Sequence, residues 1–176
     1  AIKKTGPSEV MPNQPIRYMF LQIGNNSNVA LDSFCWRDTL PAQVTVNRLV
    51  TGTYNQAQNY KIVYKVNGAG AYRTLADNLS TTKNYVLDMR PAVIGLAANE
   101  RVTEIMFVFG TVPAGFAQVE TPVLYGTVCG GLSNGTNLVN SADAGGLYNG
   151  QWVQAVSRWL TTVYAKMTMT LPKTGY

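Results

Sequence analysis

The stretch Phe34-Cys35-Trp36-Arg37-Asp38 carries the first residues whose spacing bears on chemistry. In an extended chain Phe34, Trp36 and Asp38 project to one face, and two large aromatics mark that face as the core side. The Asp38 carboxyl is therefore expected to point inward. A charge left unpaired there is costly, so the group must be protonated, hydrogen-bonded or paired with a cation. The simplest local solution is that it accepts hydrogen bonds from the Thr39-Leu40-Pro41 turn, with Lys4 in solvent. Other reactive constellations are missing. With no His among 176 residues, the usual neutral-pH base is absent, as are the commonest zinc sites and the Ser-His and Cys-His nucleophile pairs. The nine acids are scattered, and no pair suggests glycoside hydrolysis. Gly130-Gly131 and Gly145-Gly146 sit among Asn and Ser and read as loops, not phosphate cradles. Cys35 and Cys129 match no metal spacing. A bridge between them would close a loop of about 94 residues, worth roughly 4–5 kcal/mol; the alternative is two buried free thiols. No enzyme activity, metal or cofactor is expected.

These residues must be held by a fold, and composition bounds it. At 46% hydrophobic and 13% charged, the chain has enough apolar content for one domain and too few charges for disorder. Lys and Arg number 14 against 9 acids, a formal +5. The basic residues stand singly, with only Lys3-Lys4 adjacent, so nucleic acid is not an expected partner. No apolar run reaches the length of a membrane span, and Ala1 opens no signal-peptide pattern. The chain reads as a mature piece or excised fragment.

Period-two alternation dominates. It predicts strands over 1–4, 15–23, 33–38, 44–50, 60–66, 71–75, 84–88, 103–110, 123–128, 138–142, 152–155 and 160–169. Turn residues separate them, among them Asn67-Gly68-Ala69-Gly70, which closes a hairpin from Tyr60 to Leu75. Only 91–99, Ala-rich and opening with Pro, predicts a helical turn. Many short strands with frequent turns argue for an all-β sandwich. One domain over 1–166 with a tail at 167–176 is the economical division, although an insertion near 70–100 could form its own lobe. Trp36, Phe107 and Phe109 belong to the core by parity. Tyr148, Trp152 and Trp159 lie among late Asn, Gly and Gln and are either packed or a stacking surface for sugar.

The tail contains Leu171-Pro172-Lys173-Thr174-Gly175. This LPKTG looks like the cell-wall sorting signal that sortases read in Gram-positive bacteria. Pro172 stiffens the peptide for a recognition pocket, and Gly175 leaves the Thr174 carbonyl open to a thiolate. The resemblance implies cleavage between Thr174 and Gly175 and transfer of Thr174 to a peptidoglycan amine. The apolar segment and basic tail of a full signal do not follow within this sequence.

At the other end, Lys3-Lys4-Thr5-Gly6-Pro7, then Val10-Met11-Pro12 and Tyr18, then Asn28-Val29-Ala30-Leu31 and Arg37-Asp38-Thr39-Leu40-Pro41 have a recognisable layout. They resemble the conserved-repeat domain of bacterial surface proteins and the isopeptide-forming domains of fimbrial proteins. The likeness covers about the first 45 residues, departs at Asn13-Gln14, and is loose from 46 to 165. It implies an immunoglobulin-like β-sandwich with insertions, outside a cell. It also implies that a buried acid such as Asp38 promotes an amide bond between a first-strand Lys and a late-strand Asn. Lys4, which shares parity with Ile2, is the better donor, and Asn140 in Leu138-Val139-Asn140-Ser141-Ala142 is the acceptor. Burial would free the amine to attack and raise the acid's pKa so that it protonates or polarises the Asn amide. Turn acceptor and isopeptide promoter remain two open readings of Asp38.

Two pilin features are missing: no Glu precedes Val112-Pro113-Ala114-Gly115-Phe116 as an "E-box" requires, and no pilin polymerisation motif is present. A pilus backbone subunit is therefore not expected. The resulting reading is a sortase-anchored surface domain, a stalk or adhesin module, extracellular and attached to the Gram-positive cell wall. Its partners would be sortase and peptidoglycan. A second reading is a carbohydrate- or matrix-binding module using Tyr148 and Trp152 on a host glycan or matrix protein, and a third is a hydrolase fragment.

Overall fold

The computed structural model describes residues 1–165, and these form twelve strands and one short helix. One sheet runs in the order β1 (Lys3–Thr5), β3 (Pro15–Leu21), β10 (Val123–Val128), β5 (Val44–Val50), β8 (Val86–Asp88). The other runs β2 (Glu9–Val10), β12 (Gln151–Val163), β11 (Asn137–Tyr148), β4 (Leu31–Thr39), β9 (Val102–Val112), β6 (Asn59–Val66), β7 (Ala69–Ser80). Neighbours are antiparallel except β2, which lies parallel to the end of β12. The two sheets make a β-sandwich, the all-β class that the alternation predicts.

Side-chain parity decides what fills the space between the sheets. Ile16, Tyr18 and Phe20 on β3, Phe34, Trp36 and Asp38 on β4, and Ile105, Phe107 and Phe109 on β9 are all buried. The Trp36 ring stacks on Phe107 at 4.0 Å and tilts against Phe20 at 4.8 Å. Its Nε1–H donates to the Tyr54 hydroxyl at 3.0 Å, so the indole's polar atom is satisfied inside the core.

Several elements differ from their sequence-level outlines. The predicted strand at 152–155 and the beginning of that at 160–169 belong to one strand, β12, because β11 pairs with it continuously from Asn137↔Thr162 to Tyr148↔Gln151; positions 166–169 lie outside the described residues. Gly145 and Gly146 are therefore strand positions and not a loop. A Cβ at Gly145 would lie 2.5 Å from the Val153 carbonyl and 2.8 Å from the Trp152 ring, so the glycine permits a close approach. The two-residue β2 has too little sequence to show periodicity. The segment 70–100 forms β7, β8 and α1 (Pro91–Ile94) instead of a lobe, with Leu75, Leu79, Leu87, Met89 and Ile94 packed on the common core. The β6–β7 hairpin turns at Asn67 and Gly68, with φ of 53° and 66°, the left-handed pair a two-residue turn requires. Both cysteines are free; Cys35 is half-buried, and Cys129 is exposed where burial was expected. The LPKTG segment lies outside the described residues.

Candidate functional site

Lys4, Asp38 and Asn140 meet between the sheets. Lys4 comes from β1, which pairs with β3 in one sheet while the Lys4 backbone N–H donates to Ser157 Oγ on β12 of the other at 3.0 Å. This seam position, with inward parity, sends the lysine stem into the core. Asp38 comes from β4, directly opposite the small Ala142 of β11. Asn140, two residues before Ala142, is its diagonal neighbour on the same inward face, within reach across an antiparallel pair.

The geometry is tight and dry. Lys4 is 2% exposed, Asp38 1% and Asn140 0%. Lys4 Nζ donates to Asp38 Oδ1 at 2.6 Å, and Asn140 Nδ2 donates to Asp38 Oδ2 at 3.2 Å. The carboxylate thus holds the amine with one oxygen and the amide nitrogen with the other. Two β3 rings cover the amine: Nζ lies 4.1 Å from the Tyr18 centroid and 4.3 Å from that of Phe20. The turn-acceptor reading of Asp38 and the solvated Lys4 are thereby corrected. Asp38 accepts from two partners far away in sequence because β4 runs on to Thr39 and keeps its carboxyl pointing inward.

Electrostatics push both charged groups toward neutrality. Burial lowers the Lys4 ammonium to about 8, partly offset by the charge of and hydrogen bond to Asp38. Burial also raises the Asp38 carboxyl, against the pull of Lys4 and the Asn140 amide. Proton transfer within the pair gives a free amine and a carboxylic acid, and both then sit beside a carboxamide. Such an arrangement can support amide exchange: amine attack on the Asn140 carbonyl carbon with loss of ammonia.

The sequence did not show what encloses this chemistry. Tyr18 and Phe20 form its roof, and the Tyr18 hydroxyl faces Asn140 and Thr161, with its pKa pushed up to about 12 by burial and then by the Asp38 charge. The inward parity of Ile16, Tyr18 and Phe20 was the available signal; that Phe20 stands opposite Lys4 needed the register.

The other candidates do not assemble. Tyr148 and Trp152 flank the β11–β12 turn at about half exposure, but Leu147 pairs with Trp152 and Tyr148 with Gln151. Adjacent pairs face opposite ways, so the two rings do not share a surface. Trp159 is half-buried, and its Nε1–H donates to the Pro7 carbonyl at 2.8 Å. Asp143 and Glu104 lie on either side of Arg37, at 2.8 Å and 3.5 Å, and are neutralised by it instead of facing each other across a cleft. Among the described residues no cluster of potential ligands could hold a metal, and no helix is long and apolar enough to cross a membrane.

No protein-family model matches the sequence, and no curated protein matches it. The fold is similar to a chain of the major pilin subunit of Bacillus cereus, at 13% identity and a TM-score of 0.49 over 94% of this chain and 40% of that one. It is also similar to the collagen-binding domain of a Staphylococcus aureus adhesin, at 13% identity and a TM-score of 0.40 over 93% of this chain and 96% of that domain. A cohesin module from a Clostridium perfringens family 33 glycoside hydrolase gives 10% identity and a TM-score of 0.45 over 94% and 98%. Identities this low and TM-scores under 0.5 leave the residues themselves as the ground for a functional reading.

Proposed function

We propose that this chain is a non-catalytic surface domain, a stalk or adhesin module, locked internally by an amide bond between Lys4 and Asn140 and anchored to a Gram-positive cell wall through LPKTG. The observation that carries the reading is the buried Lys4–Asp38–Asn140 contact. As a packing device it is a poor choice, since replacing a buried ion pair by apolar residues is often neutral or stabilising by about 1–4 kcal/mol. As a means of making a covalent tie between the first strand and a late strand, each of its three groups has a use. The anchoring half rests on the sequence of Leu171, Pro172, Lys173, Thr174 and Gly175 alone.

Each half has its own test. For the tie, proteolysis and tandem mass spectrometry should yield a branched peptide joining the Lys4 and Asn140 fragments; recovery of both only as separate linear peptides would contradict it. For the anchor, incubation with a purified sortase and a triglycine amine should release Gly175-Tyr176 and attach the amine to Thr174. An uncleaved chain under conditions that process a control substrate would remove the anchoring half.

A further inference from the structure

Lys4 and Asn140 enter from different sheets, so their separation is set by whatever fastens β1 to the facing sheet. β1 pairs with β3 over only three residues. On the facing side β12 turns Ser157, Trp159 and Thr161 inward in alternation with the exposed Val156, Arg158 and Leu160. All three inward side chains bond to the backbone of the first strand or of the turn after it. The Lys4 N–H donates to Ser157 Oγ at 3.0 Å, and the Pro7 carbonyl accepts from both Trp159 Nε1–H and Thr161 Oγ1–H at 2.8 Å. The same three positions stand directly opposite Ala142, Asn140 and Leu138 of β11. The strand that grips the lysine's backbone is therefore the ladder partner of the strand that carries the asparagine, and Trp159 is opposite Asn140 itself. No loop intervenes between the grip and the acceptor.

We infer that β12 is a clamp that fixes the register of β1 against β11 before any covalent bond exists, and that Ser157 is its positioning residue for the cross-link. This inference rests on the Lys4–Asn140 reading. In that reaction the Lys4 Nζ lone pair forms a bond to Asn140 Cγ, neutral Asp38 passes its proton to Nδ2 and takes one from Nζ, the Cγ–Nδ2 bond breaks, the carbonyl reforms, and ammonia leaves. Ser157 neither gives nor takes a proton in it. Its contribution is geometric: attack between two held groups depends on their sitting within reach, and a misplacement of about 1 Å can cost about 100-fold in rate. Ser157 matters more than its two neighbours because its bond is to Lys4 itself, on the atom next to the one that bears the side chain. Without it the nearest backbone grip from β12 is at Pro7, beyond the end of β1.

Cell-free pulse synthesis of the full chain, with intact mass followed over time at several pH values, compares wild type with Ser157→Ala. Thermal melting of Lys4→Met and Lys4→Met/Ser157→Ala, neither able to cross-link, gives the temperatures at which both are fully folded, and the rates are compared there. Ser157→Ala should lose its ammonia roughly 10-fold more slowly than wild type, a partial loss of alignment. The shape of its pH profile should match that of wild type, because placement and not protonation has changed. Equal rates would overturn the role of Ser157 and leave the cross-link standing. A pH profile of different shape would put Ser157 in the proton transfers and overturn positioning. A double variant that is unfolded wherever Lys4→Met is folded would show that Ser157 holds the fold and not the reaction, and would also overturn it. No mass loss in wild type would overturn the cross-link and this inference with it.

Discussion

Asp38 shows how little one carboxylate's role depends on its own strand and how much on what the fold delivers to it. One oxygen holds an amine and the other an amide nitrogen. Replacing Asp38 by Ala keeps amine and amide nearby but removes the carboxyl proposed to pass protons between them, so that chain should retain its full mass; mass loss at the wild-type rate would dispose of that role. The proposed role also has a pH signature. Burial sets Lys4 at about 8 and lifts Asp38 above its ordinary 3.8, so across neutral pH the pair holds one shared proton. The reactive form, neutral amine beside neutral acid, is a tautomer of that one-proton state. In acid a second proton occupies the amine lone pair. Above about 8 the shared proton is lost, and with it the donor to the leaving nitrogen. The rate of ammonia loss, read by intact mass between about pH 5 and about pH 9.5, should therefore be flat near neutrality and fall on both sides. A rate that climbs through pH 8 and stays high would show that only the free amine matters.

At the scale of elements, periodicity carried most of what the sequence could say. β5 and β10 have the predicted bounds because alternating Val, Leu and Thr are cut off by turns on both sides. The inward face of β4 was readable for the same reason, and so was the direction of the Asp38 carboxyl. Pairing was not readable. That Asn140 stands diagonal to Asp38, and Lys4 opposite Phe20, depends on registers between strands more than a hundred residues apart or in different hairpins. The resemblance to isopeptide-forming domains named Lys4 and Asn140; local composition pointed to a solvated Lys4. Gly145 misled for a related reason. Glycine next to glycine suggests a loop, yet here the missing Cβ lets Trp152 and the Val153 carbonyl approach. Gly145→Val should cost about 1–3 kcal/mol of stability by chemical denaturation, as over-packing does. A midpoint equal to wild type would mean that β11 and β12 separate there without penalty.

For the molecule as a whole, a Lys4–Asn140 bond would close a loop of about 136 residues and tie the edge of one sheet to the interior of the other. In the chain-entropy picture of covalent loops this is worth about 5 kcal/mol, or roughly 10–20 °C in melting temperature for a domain of this size. Lys4→Met should therefore melt well below wild type, through loss of the tie as well as of the cation that pairs with buried Asp38; equal or higher melting would mean that no tie is present to lose. A sandwich held in this way would resist being unzipped from β1, as the proposed stalk role requires. The most direct test of the central claim is the intact mass of the purified wild-type chain under denaturing conditions, beside Asn140→Ala. Wild type should be lighter than its sequence by about 17 Da, the mass of one ammonia, and Asn140→Ala should have its full mass. A wild-type mass equal to the unmodified sequence would contradict it.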